Sequence, residues 1–394
     1  MTVAGIRYMA VAPGTGYGES AEEYITALRA TGIPVSWTPL VNGSRFRGEV
    51  RVAPFEGDEV GGCRHDDICN AEIDHDTVIV HMPPRRWEGW LNHLRDKRLV
   101  IYCTWEADRI PRHWPKILNR FDQVLVPSSF NRDSFIASGV TTPVSVVPHI
   151  APADPPEPAP PGRLGDIDDE FVFYSVNTWT TRKAVPETLT AFLDTFTADD
   201  GVAFALKTTP HDHIASERLR RDKGRQATDP RRTGSLWSLA RLAGRYPTAP
   251  KIHLMTREGE PRSVIEGLHA RGQCFVSLTR GEGFGLTPFE AGARGVPAIV
   301  TGWSGPLDYL GPDYPYLVDY DLVPMSDDDP DGWLELSPDR RWARPDVAHA
   351  GALMRRVAEN PDEALRVGAE LRERIRADFS ADVVVSRLLA AIDT

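Results

Sequence analysis

Two glutamates eight residues apart frame the stretch of this chain best suited to chemistry, Gly281-Glu-Gly-Phe-Gly-Leu-Thr-Pro-Phe-Glu290. Gly281, Gly283 and Gly285 allow a tight turn and a close approach of the backbone to a ligand. Thr287 reads as an N-cap and Pro288 as the first helical residue, so a helix is predicted to start here. Free amides and the positive dipole end at such a start suit a phosphate. Glu290 has two readings. In one, Thr287 to Glu290 is a capping box and the carboxylate only returns a hydrogen bond to the cap. In the other, Glu282 and Glu290 hold sugar hydroxyls on either side of a diphosphate bound by the amides.

A second stretch offers the matching cations. Ser175-Val-Asn177-Thr-Trp-Thr-Thr-Arg182-Lys183 leaves a predicted strand and opens a predicted helix. Cations at a helix start are disfavoured by the macrodipole unless an anion lies nearby. Two phosphates need cationic donors, and a charge-assisted hydrogen bond is worth ~1.5–3 kcal/mol. The plainer alternative is a solvent-facing Arg-Lys pair.

The segment from Glu282 to Glu290, continued by Ala291-Gly-Ala-Arg-Gly-Val-Pro-Ala-Ile-Val-Thr301, resembles the E-x7-E region of the family 4 retaining glycosyltransferases of the GT-B fold. The resemblance implies transfer of a hexose-type sugar from a nucleotide diphosphate sugar to a hydroxyl, without a metal or a bound cofactor. It implies that Glu290 holds the donor ribose, while Glu282 and the backbone of Gly283, Phe284, Gly285, Leu286 and Thr287 contact sugar and diphosphate. Lys183 matches the lysine of the family's R-x5-K phosphate clamp. Asn177 stands at the arginine position, which leaves Arg182 as the replacement cation. A sugar phosphorylase or sugar-nucleotide epimerase on the same fold, or a nucleotide-sugar-binding partner without catalysis, are the alternatives.

The N-terminal half carries weaker signals. Gly14-Thr-Gly16-Tyr-Gly18 follows the first predicted strand without the G-x-G-x-x-G spacing or the later acid of a dinucleotide site. By resemblance, Gly16 approaches the donor diphosphate. His81 and Glu106 end predicted strands and are acceptor-side candidates, with a satisfied structural histidine as the other reading of His81. Glu106 stands where the family commonly has a histidine. Trp87, Trp105 and Trp303 are expected to pack rather than stack on a ligand. His211-Asp-His213 and His65-Asp-Asp67 lack a third partner at metal spacing and are expected in exposed loops.

Positioning these residues takes alternating strands and helices. Apolar runs at Ile6–Ala12, Val35–Trp37, Thr77–His81, Leu99–Cys103, Gln123–Val126 and Val144–Val147 alternate with helical stretches such as Ala21–Thr31 and Arg132–Gly139. The pattern resumes with Phe171–Val176, Val202–Lys207, Lys251–Met255, Gln273–Ser277 and Ala298–Val300, with helices at Val185–Thr195, Gly234–Leu242 and Pro288–Arg294 and three more after residue 346. Near-continuous Val/Ile/Leu runs separated by helices mark parallel sheets covered on both faces. Six prolines among residues 151–162 form a stiff connector. The expected fold class is therefore α/β, of GT-B architecture, with two facing Rossmann-like doubly wound domains and a cleft between them. Residues 1–150 form the acceptor side, 151–169 the linker and 170–377 the donor domain; 378–394 form a helix packing back on the first.

Composition narrows the partners. The 394 residues carry 45 basic and 56 acidic side chains, net −11. That excludes the basic face a nucleic-acid binder uses. Residues 1–150 are net −2 and the rest −9, which favours a soluble small-molecule or saccharide acceptor. Arg218–Arg232, a basic stretch, reads as a mobile solvated loop, with contact to a phosphate-bearing acceptor or a membrane as the sharper reading. No apolar run is long enough to span a bilayer, and the four cysteines form no CxxC pair. A cytoplasmic protein with reduced thiols is expected, with a homo-oligomer open. Gly311–Asp346 is long for a connection and is expected to be a lid or brace.

Overall fold

The computed structural model describes residues 3–42, 50–52, 64–84, 91, 94, 96–153, 164–223, 230–259, 261–325 and 339–393. The chain divides into two compact units: Met1–Trp105 with Arg109–Ala151 and Ala377–Thr394, and Glu106–Asp108 with Pro152–Arg376. Most of the 151–162 connector, Trp87, Trp333 and Cys63 lie outside the described residues.

The first unit is built on seven strands: β1 (Ile6–Ala10), β2 (Val35–Asn42), β3 (Val50–Val52), β4 (Thr77–His81), β5 (Arg98–Tyr102), β6 (Gln123–Val126) and β7 (Val144–Val146). Their order is β3-β2-β1-β4-β5-β6-β7, parallel except for the antiparallel β2–β3 pair. β3 is absent from the apolar pattern because it is a three-residue edge strand, Val-Arg-Val. Thr77–His81 is buried along its whole length, as expected of a strand covered on both faces. Helix Gly16–Ala30 starts earlier than its apolar face suggests, because Thr15 caps it by accepting from the Gly18 amide. Its Tyr24, Ile25 and Leu28 share a core with Ile6, Tyr8, Val384, Leu388 and Ile392, so the last helix, Ala381–Ile392, packs in this unit.

The second unit holds β8 (Phe171–Val176), β9 (Val202–Lys207), β10 (Lys251–Met255), β11 (Cys274–Ser277), β12 (Ala298–Thr301) and β13 (Leu317–Val318). All are parallel, in the order β10-β9-β8-β11-β12-β13. Phe173, Phe192, Phe204, Val276, Ile299 and Met354 form its core. The Gly311–Asp346 stretch contributes β13 and an antiparallel hairpin of β14 (Tyr320–Pro324) and β15 (Arg341–Pro345).

Two loop expectations are corrected. Residues 218–223 of the basic stretch belong to helix His213–Lys223, and the end of the stretch enters a further helical turn, Pro230–Thr233. Asp212, expected in an exposed loop, is buried and caps that helix through the Ala215 amide at 2.9 Å. His65 is likewise buried, its Nε2 against the Glu22 carbonyl at 3.2 Å, while Asp67 pairs with Arg29. Asp212, His65 and Asp67 thus serve local structure. Cys69, Cys103 and Cys274 are buried, and burial pushes the Cys103 and Cys274 thiols up out of the reactive range.

Gly18 leaves no room for a side chain: an added Cβ would meet the Ala12 carbonyl oxygen at 2.1 Å and Pro13 Cα at 3.0 Å. Both obstacles are backbone and cannot swing away. Gly18→Ala is therefore expected to cost ~1–3 kcal/mol, read as a lower urea midpoint; an unchanged midpoint would contradict this packing.

Candidate functional site

In an open α/β sheet, ligands bind outside the carboxyl ends of the strands where the strand order reverses. In the second unit that point lies between β8 and β11, which pair through Phe173 and Tyr174. The loop after β8 carries Asn177, Arg182 and Lys183; the loop after β11 carries Gly281, Glu282, Gly283 and Gly285. Lys183 Nζ lies 2.6 Å from Glu282 Oε1, and Arg182 Nη1 lies 3.2 Å from Glu282 Oε2. Arg182 Nη1 also donates to the Gly281 carbonyl at 2.9 Å, and its Nη2 lies 3.9 Å from Glu106 Oε1. Residues about one hundred positions apart thus meet in a cluster of two cations and two carboxylates.

The turn that presents the cations is strained. Ala184, just before helix Val185–Thr195, has φ 47°, a left-handed conformation that costs a residue with a Cβ ~1–2 kcal/mol. It places Arg182 and Lys183 at the positive end of the helix dipole, which Glu282 offsets. Burial lowers the Lys183 pKa, and Arg182 adds to this, while Glu282 opposes it. Burial acts against the Glu282 carboxylate too, but the Lys183 and Arg182 charges and hydrogen bonds outweigh it and hold its pKa below the ordinary value. Glu282 is therefore held as a carboxylate at neutral pH, and Lys183 is easier to deprotonate than a lysine in water.

The glycine turn differs from its sequence reading. The helix runs Leu286–Ala293 and is entered through Gly285 at φ 86°, with no side-chain cap. Thr287 is thus inside the helix rather than capping it, because Gly285 takes the left-handed position and ends the loop two residues sooner. The capping-box reading of Glu290 falls with it. Glu290 instead meets Arg262 Nη2 at 3.1 Å, and His269 Nε2 at 3.9 Å. Burial raises its pKa, but His269 and the charges of Arg262 and Arg294 bring it below the ordinary value.

Ser304, Gly305, Phe289 and Tyr309, which the motifs do not single out, hold the turn in place together with Phe284. Ser304, at φ 72°, accepts the Glu282 amide on its Oγ at 3.0 Å. Gly305 sits so close beneath the turn that a Cβ would meet the Gly283 carbonyl oxygen at 2.2 Å. Phe284, Phe289 and Tyr309 pack ring against ring, and the Tyr309 hydroxyl donates to the Gly285 carbonyl at 3.1 Å. The Gly302-Trp-Ser-Gly-Pro turn after β12 was the available signal. The β14–β15 hairpin braces the same loop: Ala343 donates to the Arg280 carbonyl at 2.8 Å, and the Arg280 guanidinium lies over Trp342. Asp108 joins the hairpin through Arg341 at 2.7 Å, which fixes the segment that bears Glu106.

The remaining candidates separate. Asn177 is buried, and its Nδ2 donates to Ser175 Oγ at 2.9 Å and Ser277 Oγ at 2.8 Å. It ties β8 to β11, while Arg182 supplies the guanidinium. In the first unit Gly16 begins the helix behind the Gly14–Gly18 turn. His81 is buried, with Nδ1 2.8 Å from the Tyr8 hydroxyl and Nε2 3.3 Å from Ser20 Oγ. Burial, aided by His149, pushes its pKa well down, the behaviour of a structural histidine. Trp105 is buried against Trp114. Trp303, expected to be buried, is half-exposed beside Tyr320. Among the described residues no group of three His, Cys, Asp or Glu could hold a metal ion, and no helix is long and apolar enough to cross a membrane.

This geometry agrees with comparison to known proteins. The structure is similar to sucrose-phosphate synthase from Thermosynechococcus elongatus (TM-score 0.63, 15% identity, covering 97% of this chain and 96% of that one). It is also similar to HepE from Anabaena, solved in complex with UDP and glucose (TM-score 0.57, 10% identity, 99% of each chain). A variant of S. aureus TarM, in complex with fondaparinux, alpha-GlcNAc-glycerol and UDP, is similar over part of its length (TM-score 0.53, 11% identity, 81% of this chain), and the chain spans 55% of it. No curated protein matches by sequence. The fold is GT-B. Residues 251–388 match the family model described as "Family 4 Glycosyltransferase in conflict systems", so this part of the chain, about a third of it, is similar to a family 4 glycosyltransferase domain on that fold.

The lowered Glu282 pKa means that its contribution to stability is present above the unfolded carboxylate value and is lost as pH falls through the folded one. Glu282→Gln should thus be destabilised by roughly 1–3 kcal/mol at pH 7, and the gap to wild type should narrow near pH 4. Urea titrations at both pH values check this; a gap independent of pH would remove the charge from the account.

Proposed function

We propose that the protein is a metal-independent, retaining hexosyltransferase acting on a nucleotide diphosphate sugar. The observation that carries this is the cluster of Arg182, Lys183 and Glu282 at the strand-order reversal, beside a glycine turn that opens a helix. When the donor enters, its diphosphate takes the place of the Glu282 carboxylate as partner of the two cations. The freed Glu282 accepts hydrogen bonds from the sugar hydroxyls. Leu286 and Thr287 amides at the helix start add donors to the phosphate, and Glu290 holds the ribose.

Negative charge grows on the diphosphate as the glycosidic bond breaks, and two fixed cations are already in position to receive it. They supply the charge that a divalent cation supplies elsewhere, so no cofactor beyond the donor is needed. The departing phosphate oxygen takes the acceptor proton on the face it leaves, and the acceptor oxygen bonds to the anomeric carbon on that same face. Retention follows. The net −2 of residues 1–150 fits a soluble small-molecule or saccharide acceptor better than an anionic lipid surface. HepE and TarM were solved with UDP, which makes UDP-glucose the first donor to try, in a protein read as cytoplasmic.

Thermal shift with UDP-, GDP-, ADP- and dTDP-sugars identifies the donor, a cognate one at a hundred times its Kd adding ~2.7 kcal/mol. Lys183→Ala should then lower kcat ~10²-fold or more while the fold stays intact, and NMR of the product should show the donor's anomeric configuration. Near-normal turnover in the variant would end the leaving-group role.

A further inference from the structure

Glu290 stands at the end of a buried polar chain that the transfer step does not use. Tyr174, on β8, is fully buried, with its ring edge-on to Phe275 at 5.3 Å and to His269 at 5.7 Å. Gly272 makes the space for it: an added Cβ there would lie 2.2 Å from Tyr174 Cδ1. The Tyr174 hydroxyl lies 2.8 Å from His269 Nδ1. His269, on helix Arg262–Arg271, is 3% exposed, and its Nε2 is buried without a hydrogen-bond partner. The acceptor nearest to hand is Glu290 Oε2, 3.9 Å away.

The direction of the Tyr174–His269 bond fixes the tautomer. If Nδ1 donated, the phenol proton would be left buried without an acceptor, a loss of ~1–3 kcal/mol. The hydroxyl therefore donates, and the imidazole proton resides on Nε2, facing Glu290. The other carboxylate oxygen, Oε1, is held by Arg262, whose side chain is 49% exposed. An exposed arginine is easily exchanged for a ligand, and a buried imidazole is not.

We propose that Tyr174 and His269 are positioning residues that select ribonucleotide donors: Nε2–H of His269 closes on one oxygen of Glu290, and the other oxygen leaves Arg262 for the ribose hydroxyls. This rests on the reading of Glu290 as the ribose ligand. The geometry specifies which groups must be present on the donor, since only a sugar with free 2′- and 3′-hydroxyls can replace the arginine. Without the phenol, Nδ1 is free to take the proton, and Glu290 loses its fixed internal partner.

The experiment is calorimetric titration of wild type, Tyr174→Phe, His269→Gln and Glu290→Ala with UDP, GDP and ADP and the 2′,3′-dideoxy form of each. Wild type is expected to prefer the ribonucleotide of its cognate base ~10-fold. Tyr174→Phe, which keeps the shape of the core, and His269→Gln are expected to cut that preference to ~2-fold with little change in affinity for the dideoxy form. Glu290→Ala should abolish it, and adding Tyr174→Phe to that variant should change nothing further. Equal weakening toward both forms would show a packing role only and overturn the proposal, as would a full preference in both Tyr174→Phe and His269→Gln. If Glu290→Ala keeps the preference, the ribose reading falls and takes the proposal with it. If wild type binds none of the six, the nucleotide reading itself is overturned.

Discussion

Arg182 and Lys183 stand side by side at the beginning of a helix, where the dipole already presents positive charge. Left alone they would repel each other and the helix, at a site too buried for water to screen them. Glu282 resolves this by bonding to both, at 2.6 Å from the lysine and 3.2 Å from the arginine. Much of the second unit can be understood as the means of holding that carboxylate still. Ser304 fixes its amide, the Arg182 guanidinium grips the preceding carbonyl, and Gly305 lets the turn lie directly on the backbone beneath it. On the function proposed above, a donor that brings its own negative charge would compete for cations already assembled, leaving little reorganisation for the moment of reaction.

The same economy of space explains the glycines. Gly281 is pressed against the Glu106 carbonyl, where a Cβ would come to 2.0 Å. Gly285 needs a positive φ to start the helix. Neither position could be occupied by another residue without moving the loop that carries Glu282. The hairpin β14–β15 acts on the same loop from another side, through Ala343 and Trp342. In the first unit a different balance applies. There Tyr8 pairs with His81 and Tyr24 with Tyr102, and the His81 and Tyr102 rings lie 4.2 Å apart.

How far the sequence could be read depended on the range of the interaction. Most strands were legible because their apolar runs record burial in the sheet, whereas the short edge strand β3 left no such run. The glycine turn and its two glutamates were legible as a spacing. The start of the helix was misread at Thr287 because a left-handed Gly285 and a Thr-x-x-Glu box give rival local signals, and only packing against Tyr309 and Pro306 decides between them. Helix His213–Lys223 was passed over because its polar face outweighs its apolar one, although Asp212 was a readable cap.

By itself, the sequence determined the alternation of strands and helices, the glycine turn with its two glutamates, and the Arg182-Lys183 pair with Asn177 ahead of it. These are properties of residues close together in the chain. Only the tertiary structure decided which charges face one another. Glu282 meets cations about one hundred residues earlier, Asn177 turns to two serines on adjacent strands, and Glu290 meets Arg262 and His269 instead of a helix cap. Strand order brings these loops together, and strand order is fixed by the packing of the whole sheet, which no local pattern records.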